Sequence, residues 1–154
     1  MLETWVSFYS THAALRSAVG FIHVGGLLAG GGCAITADLA TISAARDNLA
    51  AQITELRVLK RTHELVAAGL VALLVSGVLL FAADVDTYLY SRLFWIKMGM
   101  VVMLVVNGLL LLAAEKPVRA GDARGWNRLH YTAVTSLVLW FLTTLIGAAL
   151  PNIG

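Results

Sequence analysis

GFIHVGGLLAGGGC, Gly20–Cys33, is the stretch on which the fold turns. Every residue in it is apolar or very small except one, His23. In lipid a polar side chain needs a partner, and glycines crowded around it bring another surface unusually close. Whether His23 marks a site therefore depends on whether this stretch lies in a membrane.

Composition answers that. The 154 residues are 59% hydrophobic and 13% charged, with a mean hydropathy of +0.82, whereas soluble domains hold roughly 45–50% apolar and 25% charged residues. A bilayer-spanning helix takes about 20 apolar residues, and four runs suffice: Ala18–Ala37, Leu65–Ala83, Leu93–Ala114 and Leu129–Leu150. The expected fold is an all-α integral membrane protein, an antiparallel bundle of four transmembrane helices forming one domain over residues 1–154. The N-terminus, with Glu3 early and no basic run before an apolar core, does not read as a cleaved signal peptide. Cys33 is the single cysteine and has no disulfide partner in the chain, so a small buried role is expected for it.

Basic residues set the expected orientation. Arg46, Arg57, Lys60 and Arg61 lie between spans one and two, and Lys116, Arg119, Arg124 and Arg128 between spans three and four. The middle connection has Asp84 and Asp86 but only Arg92. The positive-inside rule then makes the first and third connections cytoplasmic and puts both termini outside, in a multi-pass protein of a bacterial inner membrane. Leu49, Ile53, Leu56 and Lys60 recur at helical spacing, among Arg46, Asp47, Glu55 and Arg57. Either the first helix runs past the membrane or an amphipathic piece lies on its surface. Pro117 and Gly121 mark a turn in the third connection.

Ionisable residues within spans are costly and are read first as functional. On the first helix, His12, Arg16, His23, Gly30, Ala34 and Thr41 fall on one stripe, bordered by Gly26, Ala37 and Asp38. Lys97 enters the third span at about the depth at which His23 sits in the first, some 6–8 Å below the same surface. A lone lysine there could snorkel; a matched pair favours a shared site. Facing the cytoplasm, KRTHELVAAG and WNRLHYTAV each place an arginine two residues before a histidine. His63 and His130 thereby reach equivalent depth on two helices, and interfacial histidines are also common without function. Read functionally, they suit a bis-histidine haem b site, with Arg61 and Arg128 near the propionates. Gly26 and Gly30 would leave room for a flat tetrapyrrole against the first helix. Copper, for which His23, Cys33, Met98, Met100 and Met103 are candidate ligands, is less favoured, because the methionines do not share one face and the spacing is not a dedicated motif. No CxxC, HExxH or phosphate loop is present, and a net charge of +2 gives no case for nucleic acid.

The four-helix layout, His23, the basic patch before the second span and FWIKMGMVVML in the third (Phe94–Leu104) resemble the HemJ-type protoporphyrinogen oxidase and CopD-type membrane superfamily. The resemblance implies function at the first-helix histidine and third-helix lysine, here His23 and Lys97, and association with b-type haem or porphyrin. The family's tryptophan and Pro-Arg pair after that histidine are replaced by VGGLLAGGGCAITAD, and the Asn-Glu start of its fourth helix by LHYTAVTS. Three classes follow. The first is a haem-binding redox enzyme or electron carrier with a redox partner. The second is a CopD-like metal or ion transporter with His23, Lys97 and Asp38 along a polar path. The third is a non-catalytic accessory subunit that docks another helix through its glycine face, with homo-oligomerisation open.

Overall fold

A computed structural model describes residues 2–45, 49–122 and 125–153. The described residues contain no strand; the elements are α1 (Leu2–Thr11), α2 (Ala13–Gly26), a π-helical turn (Leu27–Gly31), α3 (Gly32–Ala44), α4 (Leu49–Ala83), α5 (Val85–Tyr90), α6 (Arg92–Arg119) and α7 (Gly125–Ile153). Four helices among them are long and apolar enough to cross a membrane: Ala13–Ala44, Gln52–Ala83, Arg92–Arg119 and Gly125–Leu150. Each extends beyond the apolar run that announced it.

Packing inverts the soluble pattern. Phe21, Leu28, Val71, Val102, Leu109 and Leu145 are exposed, while Asp38, Thr41, Ser76, Asn107, Glu115 and Ser136 are buried. Lipid accepts the first set, so helix association must come from close packing and from polar contacts inside. The first long helix is central. Its α2 part packs on α4, its α3 part packs on both α4 and α7, and α6 packs on α7. One apolar cluster joins Ala34, Leu104, Leu139 and Trp140, with Met100 against it. A second joins Ala44, Leu111, Ala114, Val118, Trp126 and Leu129.

The glycines of the opening stretch make the tightest of these contacts. A β-carbon at Gly26 would lie 3.0 Å from the Gly69 carbonyl oxygen, and one at Gly30 would lie 3.0 Å from Gly69 Cα. A β-carbon at Gly31 would meet the Trp140 ring at 3.1 Å. The expected tetrapyrrole against Gly26 and Gly30 is thereby corrected: the backbone of α4 fills that space. The π turn sits where this happens. Its wider turn occurs where glycines leave no side chains to resist it, and such turns recur at functional sites. It lets Gly30 face α4 and the next residue face α7.

The first connection also resolves. The first helix runs on to Ala44, and α4 begins at Leu49, so Leu49–Lys60 is the start of one 35-residue helix rather than a separate surface piece. At about 1.5 Å per residue α4 is about 52 Å long, well beyond a hydrocarbon core of about 30 Å. Arg46, Asp47 and Arg124 lie outside the described residues, as do the side chains of Leu49, Glu55 and Lys60. Pro117 does not mark the turn in the third connection; it sits in the last turn of α6. It has no N–H to give the carbonyl four residues back, so α6 lacks one helical hydrogen bond near its end. Gly121 ends the helix instead, at φ +89°, with its N–H on the Val118 carbonyl at 3.0 Å.

At the opposite end α1 breaks from α2 at His12 and folds against α4, with Trp5 Nε1 donating to the Leu79 carbonyl at 3.3 Å. Asp84 caps α5 and Ser91 caps α6 through the backbone N–H groups of Thr87 and Phe94. Phe81 stacks on Phe94 with ring centroids 5.1 Å apart, beside Tyr88 and Trp95. Aromatic residues collected at one end of a bundle match the belt that marks a membrane surface.

Candidate functional site

His23 sits on α2, half-buried, three residues before the glycine contact with α4. Its Nδ1 lies 2.9 Å from Ser76 Oγ on α4. Ser76 is 1% exposed and its hydroxyl donates to the Ala72 carbonyl at 2.5 Å. A hydroxyl has a single proton. With that proton committed to the carbonyl, Oγ accepts from His23 Nδ1–H, and the ring is also hydrogen-bonded to the Leu73 backbone. The close approach of α2 to α4 at glycine thus does two things: it joins the helices, and it brings Ser76 within reach of the imidazole. Fixing one ring nitrogen so that the other can ligate or accept a proton is the usual role of such a partner.

Lys97, on the second turn of α6, lies along Gly147 of α7. A β-carbon at Gly147 would stand 3.4 Å from its Nζ. His23 and Lys97 are within electrostatic reach of one another. Among the described residues no carboxylate meets Lys97. One half of the protein therefore holds an imidazole and an amine, supplied by α2 and α6 and backed by α4 and α7.

The other half holds a second polar group. Glu115, 5% exposed on α6, places Oε1 3.0 Å from His63 Nδ1 on α4 and Oε2 2.8 Å from the Arg119 guanidinium. Arg119 also donates to the Leu56 carbonyl at 2.8 Å, which fixes the start of α4 against the end of α6. Asp38, 3% exposed on α3, is hydrogen-bonded to Ser136 of α7, and its Oδ2 has no partner. Between the halves, Asn107 Nδ2 donates to the Thr132 carbonyl at 3.0 Å and ties α6 to α7.

The expected bis-histidine pair does not assemble. His63 is turned to Glu115, and the His130 ring lies edge-on to Tyr131 with centroids 5.8 Å apart. The helices that carry them do not pack closely on each other: α4 packs on the first long helix, and α7 on α6 and on the first long helix. Arg61 and Arg128 are exposed. His12 and Arg16 face outward and bond the end of α1, His12 Nδ1 lying 2.8 Å from the Phe8 carbonyl and Arg16 donating to the Tyr9 and Ser10 carbonyls. Met100 packs in the core and Met103 is exposed. Cys33 is half-buried and free, not fully buried as expected. Among the described residues no three His, Cys, Asp or Glu side chains converge as a metal site would require.

Sequence reasoning passed over Ser76, Ser136, Asn107 and Glu115. Glu115 had a readable signal, an acid closing the apolar run LVVNGLLLLAAE, Leu104–Glu115, and Asn107 interrupts the same run. Ser76 and Ser136 had none, because a serine in a span usually bonds its own helix.

The chain belongs to DUF6644, a family of unknown function, whose family model matches residues 4–151. Comparison with curated proteins and with solved structures returned no match.

Proposed function

We propose that this member of the DUF6644 family is a multi-pass membrane protein that binds a tetrapyrrole, as b-type haem or a porphyrin, at His23 and Lys97 and serves redox chemistry or electron transfer. In this reading both termini lie outside an antiparallel bundle in a bacterial inner membrane, and the His23 end is the outer end. One observation carries it: His23 Nδ1 lies 2.9 Å from Ser76 Oγ, whose own proton goes to the Ala72 carbonyl, and His23 stands within electrostatic reach of Lys97.

The donor set fits such a group. Imidazole is a standard axial ligand of haem iron, and an ammonium pairs with a propionate. When bound, the group supplies one-electron chemistry. His23 binds it; Ser76 orients His23; Lys97 holds a negative charge or delivers a proton, because among the described residues no carboxylate meets its amine. Gly147 leaves the Lys97 side chain room to lie between the helices. The resemblance to the HemJ-type group supports the same two residues. Porphyrinogen oxidation is one reaction such a site could serve, and a quinone or a protein is a suitable class of electron acceptor.

The absorption spectrum of the detergent-purified protein, oxidised and reduced, tests this. A Soret band that sharpens on reduction and is lost in His23→Ala is expected. A colourless protein with stoichiometric copper or another metal would transfer the assignment to the CopD-like transport reading, which the buried Asp38 favours. A colourless, metal-free protein that purifies only with a partner would make it an accessory subunit.

A further inference from the structure

Asp38 presents a different problem from His23. It is 3% exposed in a bundle whose outer surface is apolar, and Ser136 satisfies only one side of its carboxyl group. Oδ2 meets no donor. An ionised carboxylate with a bare oxygen in such surroundings is among the most costly arrangements a membrane protein can hold. Among the described residues no lysine or arginine pairs with it. The charged and titratable groups near it are His63 from α4 and, behind His63, Glu115 and Arg119 from α6; α7 contributes the neutral Ser136, and Thr41 is buried one turn on along α3 itself.

A route from outside leads to this point. Helices α4 and α6 are not closely packed on each other, and between them lies a groove of about 490 Å³ lined by His63, Glu64, Ala67, Leu112, Glu115 and Arg119. His63 is 22% exposed at its side chain, and its Nδ1 rests 3.0 Å from Glu115. An imidazole can take a proton at one nitrogen and release one from the other. Arg119 offsets the charge of Glu115, so this acid can stay in place while a proton passes.

We propose that Asp38 is a proton-binding site, loaded from the α4–α6 groove through Glu115 and His63. The ligand is a proton delivered by water; it binds Oδ2, neutralises the carboxylate and leaves the Ser136 hydrogen bond intact. Unloading returns the proton by the same route and leaves a carboxylate held only by Ser136, so the loaded form is the resting one. Asp38 lies fifteen residues beyond His23, about 22 Å along the helix. The site is separate from the His23–Lys97 reading and stands whether or not that reading holds.

Infrared difference spectroscopy on the full chain in lipid nanodiscs, without added tetrapyrrole, reads it directly. At neutral pH the wild type should show the carbonyl stretch of a protonated carboxylic acid that shifts when aspartate carboxyls are labelled with carbon-13. Asp84, Asp86 and Asp122 are exposed, and the variants separate any contribution of theirs from that of Asp38. Asp38→Asn should abolish the band, and Ser136→Ala should move its frequency. The Ser136→Ala shift assigns the band even if Asp38→Asn does not fold. His63→Gln should keep the band but slow its hydrogen–deuterium exchange roughly tenfold or more. No aspartate-labelled band at neutral pH, a band that survives Asp38→Asn, or exchange as fast in His63→Gln as in the wild type would overturn the proposal.

Discussion

The hydrogen bond from His23 to Ser76 is worth about 1 kcal/mol in stability, yet it fixes the orientation and tautomer of the ring. Ser76→Ala should therefore leave folding nearly intact and disturb ligand binding, since the imidazole loses the group that sets its tautomer. Thermal unfolding together with the absorption spectrum distinguishes the two effects; an unchanged spectrum would show that His23 needs no orienting partner. Glu115 behaves oppositely. Its carboxylate holds His63 and Arg119 together, and Glu115→Ala strands both, at a cost of about 1–3 kcal/mol. Arg119→Ala should cost less, because Arg119 is 40% exposed and water replaces part of what it loses. Chemical unfolding in detergent measures the pair, and a larger loss for Arg119→Ala would contradict the network as described. At this scale the sequence showed which residues are anomalous but not what they touch. His23, Lys97 and Asp38 stand out because ionisable groups are costly in spans. Their partners Ser76 and Ser136 are ordinary residues whose role exists only once α4 and α7 are placed beside the first helix.

At the scale of elements, the glycines divide by what their missing side chains allow. Gly69 faces Gly30 so closely that a β-carbon there would press on its backbone, which cannot move aside as a flexible side chain could. Gly69→Ala should destabilise by about 3 kcal/mol, the upper part of the usual range for overpacking. Gly99→Ala and Gly108→Ala meet nothing within 4 Å and should be neutral or stabilising by up to about 1 kcal/mol, as expected for alanine in a helix. Unfolding of the three variants under one condition gives the comparison; equal effects would mean that the α2–α4 crossing is not tight. Hydropathy alone located all four spans. It missed that α4 continues back to Leu49, because the charged residues of that segment read as an extension of the first helix or a surface piece until Leu56 and Arg119 are seen to meet. It also missed the π turn, since a hydrogen-bond pattern one residue wider leaves no mark in composition. The glycine stripe was visible, but its occupant was not: a helix backbone and a flat ring ask for the same absence of side chains.

At the scale of the whole molecule, two polar groups lie in opposite halves of an apolar bundle, His23 with Lys97 in one and Asp38, His63 and Glu115 in the other. The orientation proposed above gives these halves an outside and an inside. In a Cys33→Ser background, Thr87→Cys and Ala120→Cys both sit at exposed positions on opposite connections. An impermeant thiol reagent applied to intact cells should label Thr87→Cys and spare Ala120→Cys, following the basic residues; the reverse pattern would invert the topology. The proposed function rests on His23 and Lys97 acting as a unit. A haemin titration of the purified wild type, His23→Ala, Lys97→Met and the double variant tests that most directly, because methionine keeps the length of lysine and suits lipid. Saturable binding by the wild type, weakened by each single change and little further by both together, is the result expected of residues that share one ligand. No saturable binding by the wild type, or losses that simply add, would contradict a shared tetrapyrrole site at His23 and Lys97.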